Sequence, residues 1–187
     1  PSPIISCLGK INDINNVITM SFKSPGSKIF MIGKRKDELG GSLYYSLHKE
    51  LGANVPNPNI DEVKDQIYAI TNSTDSNLIN ACHDISDGGV AVTLSEMTFE
   101  NNIGCSVNIS GKLSVEKLLF SETGGFIIEV IDSNIDAIKK IFQHYALAID
   151  LIGETTKEKY IKINDKINLS TEETKELWLN GLRDKIK

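Results

Sequence analysis

The chain has 187 residues, 40% hydrophobic and 24% charged, with a net charge of −5. That composition supplies enough apolar side chains for one sizeable core and excludes general disorder. The negative charge disfavours a nucleic-acid partner, and no apolar run approaches the length of a membrane-spanning helix, so neither nucleic acid nor membrane is expected.

One domain over residues 1–187 is expected, because no repeat, low-complexity tract or linker interrupts the chain. It begins on Pro1 and not Met, as expected of a processed chain or a domain of a longer one. Ile4–Leu8, Val17–Met20 and Ile29–Gly33 are short β-branched runs between turn residues and read as strands. If the first two are strands, an apolar face including Ile5, Val17 and Met20 should be left partly uncovered. Lys34 to Gly41 reads as a loop, and Ser42 as the cap of a helix through Leu43, Leu47 and Leu51 that stops at Gly52. A second helix starts at Asp61, with Val63, Ile67 and Ile70 on one face. The apolar stretch Ala81–Ile85 leads to a glycine pair and a helix running to about Asn101. After it come a strand (Gly104–Ile109), a helical turn or two (Val115–Leu119), a strong strand (Gly125–Ile131) and a helix marked by Ile135, Ile138, Ile141 and Phe142. Strands over Ala146–Ile152 and Tyr160–Ile163 follow, then a helix over Thr171–Leu182 announced by Ser170 and Glu173. A β-rich opening followed by helix–strand alternation implies an α+β fold in which helices cover a mixed β-sheet.

Charge is distributed unevenly: residues 1–53 carry +3, residues 54–110 carry −7 and residues 111–187 carry −1. An acidic middle repels polyanions but suits a divalent cation that in turn holds a phosphate. Three widely spaced cysteines, Cys7, Cys82 and Cys105, do not make a disulfide framework, and with three histidines they do not make a zinc site. A reducing cytoplasm is the expected compartment.

Three segments suit chemistry. In His83-Asp84-Ile85-Ser86-Asp87-Gly88-Gly89 an apolar strand ends in carboxylates and a hydroxyl, and glycines then open a helix whose free N–H groups suit an anion. Asp84 and Asp87 could accept hydrogen bonds from a ribose or bind a cation; the same residues also suit a plain capped helix. The glycines are followed by no Lys-Ser/Thr, which excludes a Walker-type phosphate loop. In Ser121-Glu122-Thr123-Gly124-Gly125 a carboxylate and two hydroxyls precede a glycine pair, as magnesium and phosphate oxygens require, although a solvated turn reads identically. Asp37-Glu38-Leu39-Gly40-Gly41-Ser42 reads first as a loop and a capped helix start; Lys34-Arg35-Lys36 before it could face a phosphate, but reads first as a solvated charge run.

Taken together, these motifs resemble the last domain of the large, synthetase subunit of the phosphoribosylformylglycinamidine synthases, within the aminoimidazole ribonucleotide synthetase superfamily. Pro1–Ile5, Leu8-Gly9-Lys10-Ile11, Val17–Met20, Asp37–Ser42, His83–Val90 and Leu119–Glu122 carry the resemblance in order, and Leu169–Trp178 resembles the subunit's end. The resemblance implies a mixed sheet with helices, partly ferredoxin-like. It implies a part in an ATP-dependent C–N ligation that converts formylglycinamide ribonucleotide and glutamine-derived ammonia to formylglycinamidine ribonucleotide in purine synthesis. ATP and Mg2+ would be the cofactors, and the partners the remaining synthetase domains, a glutaminase subunit and a small accessory subunit. Residue by residue, Asp84 matches a nucleotide-contacting aspartate, Ser121 a small residue at the nucleotide, and Glu122 the acidic magnesium ligand. Gly124 falls where the family contacts substrate, but the segment here is one residue shorter and lacks the family's arginine. The family's catalytic histidine lies in an earlier domain, and none of His48, His83 and His144 matches it. The isolated chain is expected to be inactive. Selenophosphate, thiamine-phosphate and hydrogenase-maturation enzymes of the same superfamily are the rival readings, together with a nucleotide-holding domain that does not react.

Overall fold

The structure, a computed structural model, describes residues 5–11 and 13–181. Seven strands form one sheet: β1 (Lys28–Ile32), β2 (Ala81–Asp84), β3 (Gly104–Val107), β4 (Phe126–Val130), β5 (Ile149–Thr156), β6 (Tyr160–Ile163) and β7 (Ile167–Ser170). Their order is β2-β4-β1-β5-β3-β6-β7, antiparallel throughout except for the parallel β3–β6 pair. The helices are α1 (Leu43–Leu47), α2 (Ile60–Asp75), α3 (Gly89–Met97), α4 (Val115–Phe120), α5 (Ile135–His144) and α6 (Thr171–Asn180). This is the mixed, helix-covered sheet expected from the sequence.

Alternation along the central strands divides the core in two. Ile29, Met31 and Ile127 point to one face, where Val90, Ala91, Leu94 and Met97 of α3 and Leu118 and Leu119 of α4 cover them. Phe30, Ile32, Ile128 and Val130 point to the other, against Ala69 of α2 and Ile138 and Phe142 of α5. The buried Glu129 interrupts this pattern, and its carboxylate accepts from the Lys23 and Ser24 N–H groups at 2.7 and 3.0 Å.

Several boundaries differ from the sequence reading. Residues 5–8 are not a strand, and Ile4 lies outside the described residues. Val17–Met20 is not a strand either: a single 3-10 turn (Ile14–Asn16) precedes it, and Thr19 makes one isolated parallel bridge to Ala81. These residues have strand-like side chains but no continuous edge to pair with. Ile5 is 88% exposed, Val17 39% and Met20 37%, so the expected uncovered apolar surface is present without the expected strands. The α1 helix ends at Leu47, with His48 as its C-cap, and not near Leu51, because Lys49 turns to φ 58. The strand expected over Ala146–Ile152 starts later and runs on to Thr156, and β7 was not foreseen. A turn through Asn164 and Asp165, with φ 52 and 51, joins β6 to β7. The Asn164 side chain bonds both the N–H and the C=O of Ile109, at 2.6 and 2.7 Å.

Candidate functional site

Sheet register brings the three motif segments together. Phe126 at the start of β4 pairs with Ile32 at the end of β1 and with Asp84 at the end of β2. Segments 33–42, 85–89 and 121–125 therefore leave the sheet at one end and meet there. The Ile85 N–H donates to the Gly125 carbonyl at 2.8 Å. Gly125 sits at φ 154, where a Cβ would fall 2.3 Å from the Ile32 carbonyl oxygen, so only glycine lets these strands close up.

Arg35 is the post around which two of the loops wrap. It is 8% exposed, and its guanidinium donates to the carbonyls of Thr123, Gly124 (3.0 Å) and Gly33 (3.2 Å). Burial pulls its pKa down to about 10, and nearby Glu38 opposes that shift. Glu38 accepts from the Thr123 hydroxyl at 2.7 Å, and its own carbonyl accepts from the Ser121 hydroxyl at 3.3 Å. Sequence reasoning missed this role by taking Lys34-Arg35-Lys36 as a solvated face. A signal was available: the chain has 18 Lys and 2 Arg, so an arginine inside a lysine run marks a place where a planar fork of donors is needed. Asp37, by contrast, is exposed and pairs with Lys117 at 2.7 Å.

Glu122 ties the third loop in. Its Oε1 accepts from the Gly88 N–H at 2.9 Å and from the Leu43 N–H at 2.8 Å, and so fixes the carboxylate at the glycine turn before α3 and at the start of α1. Gly89 has φ 65 and packs so that a Cβ would lie 2.7 Å from the Leu119 carbonyl oxygen, which brings the turn against α4. Ser121 is fully buried and shares a 2.9 Å hydrogen bond with Thr123. Gly124 is exposed and lines a cavity of about 210 Å3 with Lys34, Lys36, Asn57, Asn59 and Thr123.

Asp84 is exposed at the end of β2, and its carbonyl accepts from the Thr93 hydroxyl at 3.2 Å. Asp84 Oδ1 lies 3.2 Å from His83 Nδ1, while His83 Nε2 lies 2.9 Å from Glu96 Oε2 on α3. Cys105 is buried and Cys82 half-buried. Burial pushes both thiols up to about 12, so neither is a nucleophile at neutral pH.

Among the described residues no group of three or more His, Cys, Asp or Glu side chains converges to hold a metal ion. Glu122 and Glu38 both bring carboxylate oxygens to the junction of the loops, Glu122 at the Gly88 and Leu43 N–H groups and Glu38 at the Thr123 hydroxyl. A magnesium ion there would need phosphate oxygens and waters for its remaining positions, which is how magnesium is commonly held at nucleotides.

Residues 24–166 match the family described as AIR synthase related protein, C-terminal domain. The phosphoribosylformylglycinamidine synthase subunit PurL of Methanothrix thermoacetophila is 38% identical over 193 residues, covering 100% of this chain and 25% of that protein. The chain thus spans about a quarter of the length of this curated relative. Thermotoga maritima PurL complexed with FGAR superposes with a TM-score of 0.75 at 16% identity, covering 87% of this chain and 30% of that one. The same protein complexed with ATP gives 0.68 at 17% identity, covering 87% and 28%. These structures share the fold of this chain. With its match extending across both faces of the sheet and all three converging loops, the chain belongs to the AIR synthase related protein, C-terminal domain family.

Proposed function

We propose that this chain acts as the C-terminal, nucleotide-side domain of a cytoplasmic phosphoribosylformylglycinamidine synthase. The observation that carries the reading is the meeting of the three motif loops at one end of the sheet, in a chain similar along its whole length to a quarter of a PurL subunit. The reaction is an ATP-dependent C–N ligation. The amide oxygen of formylglycinamide ribonucleotide takes a phosphoryl group from ATP, then ammonia forms the new C–N bond as phosphate leaves. In this reading Asp84 holds the nucleotide, Ser121 packs beneath it, and Gly124 offers a side-chain-free surface to the substrate. Glu122 anchors the loops through Oε1 and would supply a ligand to Mg2+, which neutralises charge on the transferring phosphoryl group. The remaining synthetase domains would complete the site, and a glutaminase subunit and a small accessory subunit would deliver ammonia. The chain by itself should not turn over ATP, since the resemblance puts the catalytic histidine and most of the metal's ligands in other domains.

The complete synthetase tests the assignment. Glu122→Gln should lower kcat roughly 10²-fold, the scale of one lost preorganised electrostatic contact. Asp84→Asn should raise the KM for ATP about tenfold with a smaller effect on kcat. If both variants fold and keep wild-type ATP and magnesium dependence, these residues are structural and the assignment falls.

A further inference from the structure

Asp84 is the one proposed nucleotide contact that points into open solvent, with its side chain 62% exposed. An exposed aspartate samples its rotamers freely, so something must aim it if it is to meet a ligand in a fixed geometry. His83 is placed to do so. Its ring is 13% exposed and lies between two carboxylates, with Nδ1 at 3.2 Å from Asp84 Oδ1 and Nε2 at 2.9 Å from Glu96 Oε2. With a proton on each ring nitrogen the ring donates to both carboxylates and cannot rotate without losing both contacts. Glu96 is restrained in turn: its Oε1 accepts from Trp178 Nε1 at 2.9 Å, and the Trp178 ring packs against Phe99 at 5.8 Å between centroids. A continuous polar chain thus runs Trp178–Glu96–His83–Asp84, from α6 across α3 to the end of β2. His83 and Asp84 close β2 just before the segment that meets the other motif loops, whereas Glu96 and Trp178 lie on α3 and α6, outside all three motif segments.

We infer that His83 is a positioning residue for Asp84, and that helix α6 sets nucleotide affinity from a distance through Trp178 and Glu96. The inference rests on the reading of Asp84 as a nucleotide contact. It assigns purposes to three side chains which that reading leaves without one. A histidine that merely filled core space would need neither carboxylate, and an exposed tryptophan that merely packed would need no acceptor for its N–H.

The test uses the complete synthetase and ATP titrations. His83→Ala should raise the KM for ATP about fivefold to tenfold, the scale of one lost charged hydrogen bond, with kcat changed less than about twofold. His83→Asn keeps a donor near the Nδ1 position and should recover most of the affinity. His83→Gln reaches toward Glu96 and should not. Trp178→Phe keeps the ring contact with Phe99 and loses the N–H, and should raise the KM about twofold to threefold. Combining His83→Ala with Asp84→Asn should add nothing to Asp84→Asn alone, because both act on one contact. Additive effects in that double variant, or equal behaviour of the Asn and Gln substitutions at 83, would overturn the inference while leaving the role of Asp84 intact. An Asp84→Asn enzyme with unchanged ATP dependence would overturn both.

Discussion

Arg35 does the structural work that its surroundings in sequence conceal. Three carbonyls, of Gly33, Thr123 and Gly124, end on one guanidinium, and the Ser121 and Thr123 hydroxyls at Glu38 join the same two loops. Lysine at this position would offer a single point of charge in place of a planar fork, and alanine would leave buried carbonyls unpaired. Arg35→Ala should therefore destabilise the chain by about 3 kcal/mol and Arg35→Lys by about half that, measured by urea unfolding. An Arg35→Ala protein with wild-type stability would show that the loops hold themselves in place. Glu122 has a comparable anchoring duty at two backbone N–H groups, which is why its substitution must be judged by kcat in a protein shown to be folded.

At the scale of elements, the helices owe their places to the faces they bury more than to their own propensity. The α2–α5 layer rests on a small set of side chains, with Phe142 and Ile138 of α5 both fully buried against the sheet. Phe142→Ala should cost about 3–5 kcal/mol, as large-to-small changes in a packed core do. Asn59 caps α2 by accepting from the Asp61 and Glu62 N–H groups at 3.2 and 3.4 Å, and Asn59→Ala should cost only about 1 kcal/mol. Thermal or urea denaturation checks the ranking, and equal losses in the two variants would mean that α2 is held chiefly by its cap. Strand assignments went wrong where side-chain type and available partner disagreed. Val17–Met20 has the composition of a strand and only a one-residue bridge, whereas Ile167–Ser170, two of whose four side chains are polar, pairs along its whole length with β6.

The molecule as a whole presents an unusual amount of apolar surface at its N-terminal end. Ile5, Leu8, Ile11 and Ile14 are between 64% and 97% exposed, and Leu43, Leu47 and Leu51 are also more than half exposed. Surfaces of this kind associate in water unless something covers them. The purified chain should self-associate at high concentration, read by light scattering as a mass that rises above 20.6 kDa with concentration. Replacing Leu8 and Ile11 together by Glu should suppress the rise. A strictly monomeric wild-type particle would show that these side chains fold back on the domain in solution.

The sequence by itself determined the order and kind of most elements, because apolar spacing records which face of a strand or helix is buried. Tyr160–Ile163 falls on β6 to the residue, Ser42 and Asp84 lie at element ends, and Glu122 lies in the loop between α4 and β4, where their motifs put them. It also singled out the three segments that meet, because glycine pairs next to carboxylates are visible locally. Their meeting was decided only by the tertiary structure, through the register that sets Phe126 opposite both Ile32 and Asp84. Arg35 as the common donor and the line from Trp178 to Asp84 were decided in the same way. Each joins residues about ninety apart in the chain, and a hydrogen bond across such a distance leaves no periodic trace in the sequence.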